Sequence, residues 1–599
     1  MNNQVNSNST GFRMPKLTLA WTILAAAGVL GLTFAADWLN ESRAIQPGMI
    51  NLLKVLLVFV TMVVWFVWLT FFSGHRLRWL FTAAALILAG LFFYQFRLIF
   101  DGDLGFVRIE PRFMKREFKT VDSAEAPPRV DLKTTSSKDF NQFLGNNRDS
   151  VVRGRVLNAN WDENPPKILW KQSVGEGWSG FVAVNGFAVT QEQRGQDECV
   201  TCYNARTGEL LWIYSAPRRH EDTLAMGKAG PRATPAIHEG RVYAQGATGI
   251  LDCLDGATGE LVWSADIPDL LGTDMISVTS SQGFEYEFED AEQSRLAWGR
   301  SGSPLVYKDL VIATGGVQSD KKFATLIAFD KNTGEEVWRG GSRMIAYGSP
   351  TIHNLLGRDQ VTIGAEAHSI GISPEDGSVL WEVSRPGSSN QDANVAQITR
   401  VSDNRILLTK GYGLGGQLIE LSENEGLIET NTVWQNQRVL RTKMMTPVLL
   451  DGYAYSLTDG FVECSSMEDG EEGRRVWRKR ARVGNGQLLL VGDKLLVHTE
   501  TGELKLVKAS PDGYQELGEI ETIDGICWNT ICLYDNLLLV RSELEAACIE
   551  LKLETQTTGV ETGSEATESS GAADGNEGSE ADADGSTSAE VNDGSTNGQ

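Results

Sequence analysis

One sequence motif recurs along the chain between Trp178 and Leu551, and this repetition limits the possible folds more than any other feature. Its clearest copies read Cys-x-Asp/Asn-x-x-Thr-Gly-Glu-Leu-x-Trp and end at Trp212 and Trp263. Six further ends are supplied by Trp170, Trp338, Trp381, Trp434, Trp477 and the stretch around Leu517. Most ends lie about 40 to 50 residues apart, a spacing that is typical of the blades of a β-propeller.

A β-hairpin is predicted before each strand-turn-Trp unit. Most of these runs are alternating or continuous β-branched residues around Asn-Gly, Glu-Gly, Asp-Gly or Gly-Asp, which favour tight turns. They cover residues 181–189, 235–243, 304–312, 350–363, 395–408, 447–455, 487–497 and 531–540. A hairpin and two more strands make one four-stranded antiparallel blade. Eight hairpins and eight strand ends therefore predict an all-β, eight-bladed propeller.

The two ends of the repeat array predict how the ring closes. The last blade has a hairpin and a third strand, but no fourth strand with a Trp follows it. The segment 167–172 lies before the first hairpin and is predicted to be a fourth strand that has no blade of its own. Pairing these two ends is expected to seal the ring and leave no open sheet edge there.

The repeat resembles the tryptophan-docking motif of the pyrroloquinoline-quinone-like (quinoprotein alcohol dehydrogenase-like) propeller family. That family includes quinoprotein alcohol dehydrogenases and the outer-membrane assembly factor BamB, and the resemblance covers about residues 140–553. It implies that each Trp lies over a peptide of the neighbouring blade, while the Gly permits a tight turn. The expected structural docking residues are Gly208, Trp212, Gly259, Trp263, Gly334, Trp338, Gly377 and Trp381.

The sequences that flank the repeats indicate three further regions. Residues 1–100 form a predicted membrane domain, because the apolar runs 17–38, 52–72 and 79–96 are about long enough to be three transmembrane helices. Residues 101–160 are predicted to be a polar connector and 161–553 the propeller. Residues 554–599 contain no Lys, Arg or aromatic residue, so they predict a disordered acidic tail.

Basic residues next to the apolar runs predict the orientation in the membrane. Arg13 and Lys16 precede the first run, and Arg76 and Arg78 lie between the second and third. Positive-inside counting puts these on the cytoplasmic side of an inner membrane, and the propeller in the periplasm. The basic residues after the third run oppose this orientation: Arg108, Arg112, Lys115 and Arg116. Residues 33–37 also resemble a signal-peptide cleavage site, and cleavage there would leave two spans.

Charge and cysteine usage exclude several function classes. The formal net charge is −24, and an acidic propeller is a poor partner for nucleic acid. Four of the seven cysteines occupy one repeat position, where a small buried residue is expected, so no disulfide framework is predicted. The run Gly411–Gly416 matches the dinucleotide-binding pattern GxGxxG. Because a strand rather than a helix is predicted after it, a dinucleotide site is not predicted. The histidines show no metal-ligand spacing, and neither a metal site nor a catalytic residue is predicted.

The loops that enter the innermost strands are the predicted place for a ligand or partner, because they line one end of the axial channel. Their aromatic, cationic and amide groups suit an anionic or planar ligand, and equally suit packing between loops. The candidate residues are Glu176, Trp178, Arg232, Trp298, Arg300, Asn394, Lys443, Trp528 and Asn529. The insertion 266–296 is a further candidate, as a lid or contact surface.

Two functions follow from these observations. The first is a membrane-anchored, non-enzymatic scaffold outside the cytoplasm, similar in role to BamB, which binds a protein partner on the propeller face and no cofactor. The second is a membrane-anchored quinoprotein dehydrogenase with pyrroloquinoline quinone (PQQ) and calcium. The chain has no adjacent cysteines, no haem motif and no recognisable set of three calcium ligands. The scaffold is therefore the favoured interpretation.

Overall fold

The computed structural model describes most of the chain and leaves out short segments and the C-terminal stretch. The described residues are 16–41, 47–73, 77–100, 105–113, 117–120, 129–220, 229–272, 276–279, 285–288, 298–317, 323–387, 393–468, 470, 472–481 and 483–554. The predicted acidic tail beyond residue 554, the basic residues Arg13 and Arg76, and much of the insertion lie outside these residues.

Three apolar helices begin the described chain, and each is long and apolar enough to cross a membrane. They span Lys16–Glu41, Pro47–Val67 and Arg78–Gln95, and the second continues as a π-helical turn at Trp68–Phe72. Two hydrogen bonds join the first two helices: Trp21 Nε1 donates to Thr61 Oγ1 over 3.1 Å, and Trp65 Nε1 donates to Thr22 Oγ1 over 2.9 Å. Such bonds between helices have no competition from water inside a bilayer.

A two-stranded β-hairpin follows the third helix directly. Its strands are Phe96–Phe100 and Phe106–Pro111, and they pair antiparallel. This pair is called the juxtamembrane hairpin below.

Eight four-stranded antiparallel sheets form the propeller, which confirms the predicted fold. Blade 1 comprises Val182–Val184, Phe187–Arg194, Asp197–Asn204 and Leu210–Ala216; blade 2, Ala236–His238, Arg241–Gln245, Ile250–Asp255 and Leu261–Asp266; blade 3, Leu305–Tyr307, Leu310–Val317, Phe323–Asp330 and Glu336–Gly340; blade 4, Thr351–Leu355, Arg358–Gly364, His368–Ile372 and Val379–Ser384. Blade 5 comprises Thr399–Arg400, Arg405–Lys410, Gly415–Asn424 and Leu427–Asn436; blade 6, Val448–Leu450, Tyr453–Thr458, Phe461–Ser466 and Arg475–Arg480; blade 7, Gln487–Val491, Lys494–His498, Glu503–Lys508 and Glu516–Glu521; blade 8, Cys532–Tyr534, Leu537–Arg541, Glu545–Glu550 and Lys167–Ser173.

Two small additions interrupt this pattern. Val151–Val152 pairs in parallel with the innermost strand of blade 7. The insertion after blade 2 begins with the helix Ile267–Leu271 and contains the strands Ile276–Thr279 and Glu285–Phe288. The rest of the insertion lies outside the described residues, so its role as a lid stays a prediction.

The ring closes as predicted. Lys167–Ser173 pairs antiparallel with Glu545–Glu550, and Trp170 lies opposite Cys548. Residues from the start of the propeller therefore complete its last blade. Hydrophobic side chains of blades 7, 8 and 1 form one continuous core with Phe140, Leu157 and Trp161 from the preceding segment.

The motif tryptophans join successive blades at the outer part of the ring. Each docking glycine receives the Trp of the preceding blade: a Cβ atom would lie 2.7 Å from Trp170 at Gly208, 2.6 Å from Trp212 at Gly259 and 2.7 Å from Trp263 at Gly334. These glycines have φ between 69° and 75°, where a side chain is strained. The indole N–H groups of Trp170, Trp212, Trp263 and Trp338 donate to backbone carbonyls of the next blade over 3.0–3.1 Å.

Three positions depart from this docking pattern. The buried indole N–H of Trp434 in blade 5 has no acceptor among the described residues. The indole of Trp381 donates over 2.7 Å to Gln360 Oε1 in its own blade rather than to a backbone carbonyl of the next blade. In blade 7 the residue opposite Leu506 is Gly518 rather than a Trp. Trp161 takes the space instead, since a Cβ on Gly518 would lie 2.7 Å from it. The segment before the propeller thus supplies a missing aromatic side chain.

Candidate functional site

The loops that enter the innermost strands share one face of the ring with the turns between the second and third strands. In an antiparallel blade the chain leaves this face on the first strand and returns to it on the second. The backbone bridge between Glu176 and Gln193 shows this proximity in blade 1. This face is called the mouth face, and the opposite one, which carries the turns after the first and third strands, the far face.

Hydroxyl groups link the starts of neighbouring innermost strands in blades 1 to 4 and in blades 5 and 6. The backbone N–H of Gly180 donates to Thr234 Oγ1 over 3.0 Å, that of Thr234 to Ser303 Oγ over 2.9 Å, and that of Ser303 to Ser349 Oγ over 2.9 Å. Gln397 N–H bonds in the same way to Thr446 Oγ1 over 2.9 Å. Each of these hydroxyl residues directly precedes a proline in the sequence. The repeated Ser/Thr-Pro pair was the available sequence signal for these hydroxyl links, which were not predicted.

Two of the predicted mouth residues form an aromatic pair. The rings of Trp178 and Trp528 lie 4.5 Å apart between centroids, at an angle of 31°. The Trp528 indole donates to Glu500 Oε1 over 2.7 Å. Ile99 and Val107 of the juxtamembrane hairpin pack against this pair together with Ile526. The mouth at blades 8 and 1 is thus covered by residues from the segment that follows the third apolar helix.

In each of three consecutive blades, a buried carboxylate lies at or just after the end of the second strand. Glu500, Glu543 and Glu192 of blades 7, 8 and 1 each accept the backbone N–H of a residue in the loop that enters the same blade, at Asn485, Ile526 and Gly175. Burial alone would raise the pKa of Glu192, but the charges of Arg194 and Arg541 lower it below its ordinary value. These carboxylates hold the loops in place and were not predicted.

The cations near the channel are engaged by groups of the chain itself. Lys443 Nζ lies 3.2 Å from Asp459 Oδ1, and Arg441 lies 2.8 Å from the other oxygen of that carboxylate. Burial would raise the pKa of Asp459, but these two cations lower it. Arg300 is buried and donates to the carbonyls of Thr314 and Gly315. Arg541, which was not predicted, joins blade 8 to Gln191 of blade 1 over 2.8 Å.

The remaining predicted residues are distributed around the ring. Trp298 contacts Tyr347 with ring centroids 5.1 Å apart, and Asn394 Nδ2 donates to the Ala365 carbonyl over 3.2 Å. Glu176 lies 3.6 Å from Arg219, and Arg232 donates to the Gly230 carbonyl over 3.1 Å. Asn529 Nδ2 donates to the Ser179 carbonyl over 2.8 Å, beside the aromatic pair. The structure therefore brings Trp178, Trp528 and Asn529 together, and the other six residues occupy separate local contacts.

The segment 139–152, which we call the plug segment, lies in the axial channel and contacts the innermost strands of three blades. Phe140 exchanges two backbone hydrogen bonds of 2.8 Å with Ala183 in the innermost strand of blade 1. Arg148 is buried and donates to the carbonyls of Ser303 and Pro304 in blade 3 over 3.0 and 3.1 Å. Burial lowers the pKa of Arg148 to about 9. Residues that were expected to be part of a polar connector thus cross-link blades 1, 3 and 7 at the channel.

The mouth residues, as arranged here, do not fit a quinone with calcium. A planar ring needs a gap between aromatic faces, whereas Trp178 and Trp528 contact each other. The carboxylates of a quinone need available cations, whereas Lys443 is paired with Asp459. Among the described residues there is no group of three His, Cys, Asp or Glu side chains that could hold a metal ion. The expectation of no cofactor stays a prediction.

Comparisons with known proteins place the chain in a family. A family model described as outer membrane protein assembly factor BamB matches residues 129–283 and 196–472, which together exceed half of the chain. BamB of Burkholderia pseudomallei (strain K96243) is 26% identical over 312 residues, which cover 47% of this chain and 75% of that protein.

Two solved structures are also similar to this chain. BamB from Moraxella catarrhalis is 15% identical with a TM-score of 0.43, covering 64% of this chain and 99% of that one. A europium-containing methanol dehydrogenase is 13% identical with a TM-score of 0.48, covering 68% and 90%. The family model carries the assignment: the chain belongs to the PQQ-repeat β-propeller family of the outer membrane protein assembly factor BamB.

Proposed function

We propose that this protein is a membrane-anchored interaction scaffold without enzymatic activity of its own, similar in role to BamB. The observation that carries the proposal is the occupation of the axial channel by the chain itself. The Trp178–Trp528 pair and the juxtamembrane hairpin cover part of the mouth, and the plug segment contacts the innermost strands of blades 1, 3 and 7. A propeller whose channel is filled in this way offers its outer surfaces to a partner.

The outermost strands supply a suitable surface for a protein partner. Several aliphatic side chains of the fourth strands in blades 2 to 5 are exposed, namely Leu261, Val262, Val337, Val379, Leu427 and Val433. Exposed aliphatic residues that recur on neighbouring strands favour contact with another protein. The net charge of −24 argues against nucleic acid as that partner.

The proposed location is the inner membrane, with the propeller in the periplasm. Lys16 and Arg78 begin the first and third helices and support a cytoplasmic N-terminus. The basic residues after the third helix are weaker evidence against this orientation than their number suggests. Arg108 forms an ion pair with Glu110 and lies 3.7 Å from Glu543, so its charge is compensated within the protein. A reporter fused after Asn160 should be active only outside the cytoplasm, and cytoplasmic activity would contradict the location.

A quinone titration tests whether the protein is an enzyme. The purified full chain is mixed with PQQ and calcium, and both absorbance and dye-linked alcohol oxidation are measured. We expect neither a bound chromophore nor activity. Oxidation that appears with quinone and calcium, is lost in Glu176→Gln and persists in the far-face variant Glu209→Gln would replace the scaffold with a dehydrogenase.

Site-specific photo-crosslinking in the native host tests the scaffold directly. A photoreactive amino acid replaces Val337 or Val379 on the outermost strands, and Thr501 serves as an exposed control at a turn. We expect one discrete protein adduct at the two strand positions and none at Thr501. The same adducts at all three positions, or none at any, would contradict a partner site on the outermost strands.

A further inference from the structure

The juxtamembrane hairpin has two chemically different faces. Arg97 lies opposite Glu110, and Ile99 lies opposite Arg108, so these four side chains share one face. Leu98 lies opposite Ile109 on the other face. Burial follows the same alternation, because Ile99 and Glu110 are buried while Leu98 and Ile109 are exposed.

The face that carries Ile99 and Arg108 contacts the propeller. Ile99 packs with Trp178 and Ile526 at the mouth, and Val107 and Trp528 adjoin this cluster. Arg108 lies 3.7 Å from Glu543, a buried carboxylate at the turn after the second strand of blade 8. An apolar contact with an ion pair beside it holds this face against the mouth face of the ring.

The opposite face is apolar, and no described residue buries it. Leu98 is 37% exposed, Ile109 47% and Phe106 58%. Aromatic residues flank it: the rings of Tyr94 and Phe113 lie 5.2 Å apart, and both are exposed. Aromatic and aliphatic residues in this combination are typical of the boundary between headgroups and acyl chains.

The position of the hairpin in the chain identifies what covers this face. The third apolar helix ends at Gln95, and the first strand begins at Phe96 with no connecting loop. At about 3.3 Å per residue, Ile99 lies roughly 13 Å along the chain from the end of the helix. The apolar face therefore lies next to the membrane that this helix crosses.

We propose that the juxtamembrane hairpin lies in the lipid interface, with Leu98, Phe106 and Ile109 in the bilayer and the opposite face against the propeller. The hairpin is then a spacer between lipid and protein that turns the mouth face toward the membrane and the far face away from it. This inference rests on the membrane anchoring in the proposed function, but not on the absence of quinone chemistry.

Spin labels at single cysteines test the lipid contact. The full chain is reconstituted into vesicles of phosphatidylethanolamine and phosphatidylglycerol after labelling of Leu98→Cys or Ile109→Cys. Asn424→Cys, at an exposed turn of blade 5, is the aqueous control. The seven native cysteines are buried, so the unsubstituted chain gives the background. Collisions of each label with oxygen are compared with collisions with a water-soluble nickel complex.

We expect the ratio of oxygen to nickel collisions at residues 98 and 109 to exceed that at 424 several-fold. Ratios equal to that at 424 would show that the face is in water and would overturn the proposal. Low collision rates with both reagents would show that protein covers the face, either a second copy or a partner, and would also overturn it. The quinone titration and the reporter fusion have separate readouts, so their failure is distinguishable from these results.

Energy transfer to acceptor lipids tests the orientation of the ring. Donor dyes are attached at Gln196→Cys, in an exposed turn of the mouth face, or at Asp451→Cys, in an exposed turn of the far face. We expect clearly stronger transfer from residue 196 than from residue 451. Equal transfer, or stronger transfer from 451, would contradict a mouth face that points to the membrane.

Discussion

The outer rim of the propeller and its axial channel are built on different principles. At the rim, Trp170, Trp212 and Trp263 each pack on a glycine of the next blade and donate to a carbonyl there. At the channel, no such unit repeats in the plug segment, where Phe140 and Arg148 make contacts that occur once. The rim thus holds neighbouring blades together, whereas the plug segment joins blades that are distant in the ring.

This difference separates contacts that recur with the repeat from contacts that occur once in the chain. Rim contacts depend on the repeat and are expected in any propeller with the same motif. The plug segment and the juxtamembrane hairpin lie outside the repeat, and they decide what can enter the channel. Substitutions of the docking tryptophans should therefore change stability but not access to the channel, whereas those in the plug segment should change both.

The largest expected effect is at the rim. Trp263→Ala removes a buried aromatic side chain and its hydrogen bond to the Lys331 carbonyl, which should lower the free energy of unfolding by about 3–5 kcal/mol. Val337→Ala, an exposed change on the fourth strand of the next blade, is the control and should change stability by less than about 0.5 kcal/mol. Urea unfolding followed by Trp fluorescence measures both. Equal effects would contradict the docking role of Trp263.

A single residue of the plug segment should contribute nearly as much to the free energy of unfolding. Phe140→Ala leaves a cavity in the core shared by blades 7, 8 and 1, at an expected cost of about 3 kcal/mol. Phe113→Ala is a matched control because Phe113 is exposed and lies outside that core. Thermal unfolding of the propeller measures the difference. A Phe140→Ala variant as stable as the control would show that the plug segment is not part of the ring.

A buried carboxylate in blade 1 should make stability depend on pH. Burial raises the pKa of Glu198 from 4.5 to about 7. The folded state therefore holds this proton more tightly than the unfolded state, and the stability gained from it is complete below pH 4.5 and lost as the pH rises through 7. Relative to Glu198→Gln, the unsubstituted chain should lose about 3 kcal/mol between pH 4.5 and 8. Parallel stability curves for the two proteins would contradict this.

The smallest expected effect is a difference in stability between Trp→Phe variants at two rim positions. Trp263→Phe removes the hydrogen bond to Lys331 and should cost about 1–2 kcal/mol. The buried indole N–H of Trp434 has no acceptor among the described residues, so Trp434→Phe should be close to neutral. The difference in thermal midpoint between the two variants measures this contrast. Equal losses would show that the hydrogen bonds add nothing to the docking contacts.

The rim could be predicted from the sequence because its contacts repeat with the blades. Gly208 and Trp212 recur with the same spacing at Gly259 and Trp263, and the closing strand could be recognised because only one strand remained. The hydroxyl links between innermost strands carried a sequence signal in their Ser/Thr-Pro pairs. The contacts of Phe140 could not be predicted, because they depend on the three-dimensional arrangement of the ring and do not recur with the repeat. For the same reason, Trp178 and Trp528 were predicted to lie at the mouth but not to contact each other.

The occupation of the channel by the chain itself is tested most directly by hydrogen exchange of backbone amides in the full-length protein. The N–H groups of Phe140 and Ser150 bond to the carbonyls of Ala183 and Leu144, and that of Trp178 bonds to the Pro231 carbonyl. We predict that these three amides exchange as slowly as the innermost strands do, since they open only when the ring opens. Exchange of Phe140 and Ser150 at the rate of an unstructured peptide would contradict a filled channel, and the scaffold proposal would lose its main support.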